Sequence, residues 1–128
     1  MAIIFVFGSN REGRHGKGAA KFALQEFGAI YGEPSGRQGN SYAIVTKELR
    51  HWKPSVTLDE VTIGVAEFRE YVANNPQHLY RVTPIGCGLA GFQMEEIAPL
   101  FTGFPSNVIF TDPRFAKLVG EADAQNHV

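Results

Sequence analysis

The stretch "FVFGSNREGRHGKGAA", residues 5 to 20, decides how the chain is read. An apolar run ends in Gly8-Ser9-Asn10. A loop with three further glycines (Gly13, Gly16, Gly18) and three cations (Arg11, Arg14, Lys17) then enters an alanine-rich segment. Strand, glycine loop and helix in that order bring backbone N–H groups and a helix N-terminus to one point, where an anion is favoured. A second stretch, "TPIGCGLAGFQ" at 83 to 93, repeats the order. Two such loops read as a clamp for a diphosphate, and glycines that serve only tight turns are the plainer alternative.

Working outward, Ile3 to Phe7 is β-branched and aromatic throughout and predicts a strand buried on both faces. Ala19 to Phe27 predicts a helix with apolar residues at 20, 23, 24 and 27, stopped by Gly28. Gly28 to Gly39, with four glycines and a proline, predicts a turn-rich connection with a short strand at Ala29 to Tyr31. Ser41 to Thr46, "SYAIVT", is the next strand. Thr57-Leu58-Asp59-Glu60 is a capping box. Leu58, Val61, Val65, Phe68 and Val72 then form one apolar stripe, ended by Asn74-Asn75-Pro76. Leu79 to Ile85 predicts a strand, Met94 to Phe101 a helix and Asn107 to Thr111 a strand, and the polar last dozen residues predict a frayed tail. The alternation implies an α/β fold whose mainly parallel sheet is covered on both faces, with ligands at the carboxyl ends of the strands.

At 128 residues, 44% hydrophobic and 20% charged, the chain reads as a single globular domain over 1–128. Ala2 to Phe7 is too short to span a bilayer and has neither a basic segment before it nor a cleavage site after it, so no membrane partner is expected. The single cysteine, Cys87, excludes an internal disulfide and suits a reducing, cytoplasmic setting. Residues 1 to 53 carry 8 Lys/Arg against 4 Asp/Glu, whereas residues 54 to 128 carry 4 against 9. The basic half either faces an anionic ligand or is an ordinary mixed surface. No basic stripe interleaved with aromatics points to a broad nucleic-acid footprint.

Neither loop is a P-loop: Gly16-Lys17 has Arg11 where the earlier glycine belongs and Gly18 where Ser or Thr should follow. Gly86-Cys87-Gly88-Leu89-Ala90-Gly91 does match G-x-G-x-x-G, with Asp112 near the place of a ribose-binding acid. An NAD-dependent oxidoreductase therefore stays as an alternative. It is disfavoured because only 37 residues follow Gly91, too few for a second mononucleotide half. His15, His51, His78 and His127 are scattered, so neither a metal nor a cofactor is expected.

The combination resembles the macrodomain superfamily, which binds ADP-ribose. The likeness is to the branch of the terminal ADP-ribose protein glycohydrolase and the DNA-ADP-ribose glycohydrolases, and to short macro-like proteins of phage and bacterial genomes. Three stretches carry it: "SNREGRHGKGAAKFALQEFGAIYG", "YAIVTKELRHWKPSVTLDEV" and "TPIGCGLAGFQMEEIAPLF". The resemblance implies a three-layer α/β/α domain that binds ADP-ribose or a related NAD-derived nucleotide. It would act as an ADP-ribosyl glycohydrolase or as a non-catalytic sensor or sponge, with ADP-ribosylated protein or nucleic acid as the larger partner. Ser9 and Asn10 would sit beside the adenosine or distal ribose, and Gly16, Lys17, Gly18 and Ala19 near the distal ribose and diphosphate. Gly86, Cys87, Gly88, Leu89, Ala90 and Gly91 would close over the phosphates. Gly8, Gly13 and Thr46 complete the ligand edge. Phe92 would pack on a ribose or fill the core, and Asp112 would contact adenine or cap a strand.

In the hydrolytic branch a lysine after the Thr and an acid after Gly-Leu do the chemistry. Lys47 stands at the first position, but Ala90 stands at the second and cannot manage protons. His15, in the first loop, is the expected substitute or else a solvated loop histidine. Glu12, Glu48 and Glu95 are weaker candidates. Cys87 reads as a small apolar residue without a His–Asp pair to activate it.

Overall fold

The computed structural model describes residues 1–126. Strand β1 runs Ile3–Asn10, three residues beyond the apolar run, because its polar end still pairs with a neighbour. Helix α1 follows at Gly18–Glu26. The connection after it holds no strand at Ala29 to Tyr31. Instead β2 forms at Gly36–Gln38, antiparallel to β3 at Ser41–Lys47. The two-residue turn Gly39-Asn40 explains the correction, since glycine-led tight turns of this kind favour hairpins. Gly39 has φ +56, and a Cβ there would meet the Gly28 carbonyl oxygen at 2.7 Å.

Helix α2, Leu58–Asn74, starts at the capping box: Thr57 Oγ1 accepts from Glu60 N, and Glu60 Oε1 accepts from Thr57 N. Strand β4 is Leu79–Val82, shorter than the expected Leu79 to Ile85, because Pro84 has no N–H to donate to a ladder. Helix α3, Met94–Ile97, continues as a 3-10 turn through Ala98–Phe101. Strand β5 is Val108–Phe110 and helix α4 is Pro113–Asn126.

The sheet order is β2-β3-β1-β4-β5, and every pair is parallel except β2 with β3. From β1 the chain passes by way of α1 and β2 to β3 on one side, then by way of α2 to β4 on the other. The strand order therefore reverses at β1, which is where open α/β sheets place their ligand crevice. Ile4, Val6, Tyr42, Ile44, Tyr80 and Val82 face α2, α3 and α4, where Val61, Val65, Phe68, Ile97, Phe101, Phe115 and Val119 complete the large core. Phe7 and Ala43 face α1 on the other side, against Ala20 and Ala23.

The polar C-terminal segment is not frayed through Asn126. Asp112 Oδ1 accepts from Arg114 N at 2.8 Å, starting α4, and Phe115 and Val119, one turn apart, enter the core. His127 and Val128 lie outside the described residues. No helix among the described residues is long and apolar enough to cross a membrane. Because Phe115 is fully buried against Phe101 and Phe110, Phe115→Ala should cost about 3–5 kcal/mol in denaturant unfolding. A loss below about 1 kcal/mol would show that α4 contributes little to the core.

Candidate functional site

The carboxyl ends of β1, β3 and β4 meet at a cavity of about 650 Å³. Both glycine loops line it. From the first come Gly8, Ser9, Asn10, Gly16, Lys17, Gly18 and Ala19, and from the second Gly86, Cys87, Gly88, Leu89 and Ala90. Thr46 and Lys47 enter from the end of β3. Five expected residues lie off the wall: Gly13, His15, Gly91, Phe92 and Asp112.

Several polar groups at this edge build the loops. The Asn10 side chain grips the backbone of Arg14 twice: Nδ2 donates to Arg14 O at 2.8 Å, and Oδ1 accepts from Arg14 N at 2.9 Å. Asn10 O accepts from Gly13 N, so Gly13 belongs to a turn whose glycine packs on Gly32 and Glu33. Thr46 Oγ1 donates to Ser9 O, and Ser9 Oγ to Asn10 O. The β1–β3 register shifts between Ser9 and Asn10, setting Asn10 against Lys47. Such a bulge re-aims side chains at a strand end.

His15 is corrected most sharply. It is fully buried beneath its loop, its ring edge-on to Phe7 with centroids 5.2 Å apart, and is neither solvated nor at the cavity. Its Nε2 lies 3.1 Å from Glu33 O and 3.2 Å from Gln38 Oε1. Both are acceptors, since Gln38 spends its amide nitrogen on Glu33 O and its oxygen accepts from Ile30 N, so the proton belongs on Nε2. His15 Nδ1 is buried without a hydrogen-bond partner among the described residues. The residue bolts the first loop to the segment carrying Tyr31, and Tyr31 does line the cavity.

The other displaced residues have equally plain reasons. Asp112 caps α4, and its carboxyl is held below the usual range by the Arg114 and Phe115 N–H groups. Phe92 packs on the large core with its ring behind Gly86, where a Cβ on Gly86 (φ +73) would meet Phe92 Cδ2 at 3.0 Å. Phe92 N donates to Gly86 O and Gly91 N to Gly88 O, closing the second loop on itself.

The acids are similarly committed. Glu48 is one residue after Lys47, yet its carboxylate is buried between two guanidiniums. It accepts from Arg50 Nη2 at 2.9 Å, Arg50 Nε at 3.1 Å and Arg11 Nη1 at 3.2 Å. Hydrogen bonds from Arg50, more than those from Arg11, lower its pKa to about 2. Arg11 also donates to Pro54 O and grips Glu60, so it joins the ends of β1 and β3 to the start of α2. Glu12 pairs with Arg14 and Arg50 at 3.6 Å. Burial pushes the Cys87 thiol up to about 11, far from a thiolate at neutral pH. No cluster of three His, Cys, Asp or Glu suited to a metal exists among the described residues.

What remains open to the cavity is mostly backbone. The N–H groups of Gly16, Gly18, Ala19, Gly86, Gly88, Leu89 and Ala90 have no acceptor among the described residues. Lys17 precedes α1 without a side-chain cap. Arg14, Lys17 and Lys47 supply positive charge at the wall. Sequence reasoning missed Arg14, Tyr31, Leu49, Thr83, Pro84, Ile85 and Met94 as wall residues. Thr83 to Ile85 was legible as the run before Gly86, had Pro84 been taken as the strand's end. Tyr31 had no local signal, because its place depends on the buried His15–Gln38 contact.

No protein-family model and no curated protein matches the sequence. Among solved structures, the fold is similar to that of Thermosipho africanus DarTG in complex with ADP-ribose. The TM-score is 0.61 and the identity 20%, covering 84% of this chain. The chain spans 37% of the length of that protein. The likeness shows a macrodomain-like α/β fold, the architecture implied by the resemblance of the loops.

The Glu48 cluster predicts a pH dependence. A carboxyl lowered from 4.5 to about 2 on folding stabilises the protein above its unfolded pKa, and that stabilisation is lost as pH falls toward 2. Glu48→Gln should therefore be less stable than wild type at neutral pH. The two melting curves should converge in acid, where the wild-type carboxyl is itself protonated. A gap that is independent of pH would show that the charge of Glu48 contributes nothing.

Proposed function

We propose that the cavity binds ADP-ribose or a related NAD-derived nucleotide, with the diphosphate held between the two glycine loops. The observation that carries this reading is a pair of glycines the fold itself does not require. Gly16 and Gly88 have ordinary backbone conformations, and a Cβ on either would meet nothing within 4 Å. Both line the cavity, beside N–H groups that lack acceptors among the described residues. Absence of a side chain there serves close approach of something outside the chain, and phosphate oxygens fit the donors. The volume suits a dinucleotide-sized ligand, and Ile85, Leu89, Met94, Leu49 and Tyr31 offer apolar walls for a base. A neighbour of the same fold was solved with ADP-ribose. The free thiol of Cys87 fits a reducing compartment such as the cytoplasm.

Binding without rapid turnover is the activity these residues favour. Ala90 occupies the wall where the resembling branch has an acid, Glu48 is locked to Arg50 and Arg11, and His15 is buried elsewhere. Lys47 supports a second reading. It lines the cavity and its amine has no ion-pair or hydrogen-bond partner among the described residues. An amine so placed would attack the anomeric carbon of an ADP-ribosyl linkage on protein or nucleic acid and expel the acceptor.

Calorimetry should give micromolar affinity for ADP-ribose, roughly −8 kcal/mol. Gly88→Val should abolish binding with an unchanged melting temperature, whereas Lys17→Ala, which removes a screened surface charge, should weaken it only a few-fold. Absence of heat at millimolar ADP-ribose rejects the reading, and tighter binding of intact NAD shifts it toward the oxidoreductase.

For catalysis, the decisive comparison is wild type against Lys47→Ala on ADP-ribosylated peptide and oligonucleotide. Slow cleavage lost in Lys47→Ala with ADP-ribose binding retained, and accelerated by Ala90→Asp, makes Lys47 the nucleophile. Two inert proteins that still bind ADP-ribose leave the sensor or sponge.

A further inference from the structure

Parallel sheets are ordinarily covered on both faces, yet half of one face of this sheet is bare. On β1, β4 and β5 the side chains of Ile4, Val6, Tyr80, Val82, Val108 and Phe110 point into the large core. The alternate residues, Ile3, Phe5, Leu79, Arg81 and Ile109, therefore point the other way. On that side α1 covers β1 and β3 through Ala20 and Ala23, whereas α4, the helix that meets β5, lies on the opposite face with Phe115 and Val119 in the large core.

The bare area is continuous. Ile3 lies beside Leu79, and Phe5, Arg81 and Ile109 form one row across three strands. The Phe5 ring stacks on Phe27 at 4.8 Å and meets Phe22 edge-on at 5.5 Å, which extends the patch onto the flank of α1. Ile3, Phe22 and Ile109 are 46%, 48% and 47% exposed, a large apolar exposure for side chains of this size. Two charges interrupt it. Arg81 is exposed in the middle of the row, without an ion pair or hydrogen bond among the described residues. Glu26 is exposed four residues after Phe22, hence on the same helix flank, and is likewise unpaired.

We propose that this face is the two-fold interface of a homodimer, in which Arg81 of each protomer pairs with Glu26 of the other. The patch is self-complementary as an isologous contact requires: apolar side chains surround one cation on the sheet and one anion on the flank of α1, at separate points. A lipid surface would call for several cations and no acid among the apolar residues. Two such patches laid together bury the apolar row and give each unpaired charge its opposite, the charge complementarity that selects a second copy of this chain. The nucleotide cavity opens at the carboxyl edge of the sheet, away from the patch, so both sites stay accessible in the dimer.

Sedimentation velocity over a concentration series from micromolar to hundreds of micromolar should show a dimer for the wild type. Ile109→Glu should be monomeric, with an unchanged circular dichroism spectrum showing that it is folded. Arg81→Glu and Glu26→Arg should each weaken dimerisation about tenfold, because each sets like charges together. The double variant Arg81→Glu with Glu26→Arg should return to within a few-fold of wild type, a rescue that a merely destabilised fold would not give. A wild type monomeric throughout overturns the proposal and leaves the face to a partner of other chemistry. A dimer that survives Ile109→Glu, or a double variant no better than its parents, places any interface elsewhere and overturns it as well. None of these outcomes depends on whether the cavity binds ADP-ribose.

Discussion

The central position of β1 governs the site. It lies between the parallel strands β3 and β4, where the strand order reverses, and its carboxyl end therefore lies beside theirs. The chain leaves β1 toward one edge of the sheet and returns past it to the other, so two loops diverge at this point and a crevice opens between them. The bulge at Ser9 and Asn10 and the double grip of Asn10 on Arg14 then shape the first loop without help from a ligand.

Preformation has a chemical consequence. The side chains that a sequence reading assigns to the ligand are largely consumed by the scaffold. Asn10 holds Arg14, Thr46 holds Ser9, His15 holds the Tyr31 segment, and Asp112 starts a helix. The donors left facing the cavity are backbone N–H groups and a few cations, with apolar residues around them. Such a surface suits the proposed nucleotide, with donors placed for an anion and apolar walls for a base, and it carries little machinery for moving protons.

The two halves of the crevice are also mechanically joined. Arg11, at the end of β1, reaches Glu48 after β3 and Glu60 in the capping box of α2, so the wall carrying Lys47 is tied to the wall carrying the first loop. The buried carboxylate of Glu48 has two guanidiniums, which is what makes its burial tolerable. By contrast, the second loop is closed by its own backbone bonds and by Phe92 beneath it. Leu89, exposed at the tip, reaches toward the start of α1, where a Cβ on Gly18 would come within 3.9 Å of it.

Local patterns in the sequence determined the alternation of elements, the capping box of α2, the apolar stripe at three and four, and the two glycine loops at one sheet edge. All of these depend on residues close in the chain, through periodicity and turn chemistry. The Gly39-Asn40 hairpin is equally local, but the apolar triplet at 29 to 31 outweighs it in a reading by composition and finds no strand partner among the described residues. Helix α4 is hard to read from composition because it is mostly polar, yet its two buried residues, Phe115 and Val119, dock it on the core. Tertiary structure alone decided the fate of the polar residues. Whether His15 is solvated, catalytic or buried depends on Gln38, 23 residues away, and Glu48, held first by its near neighbour Arg50, becomes a latch to β1 only through Arg11, 37 residues away. Hydrogen-bond partners so distant in the chain leave no periodic trace, because each requires only that two side chains meet once the strands have paired.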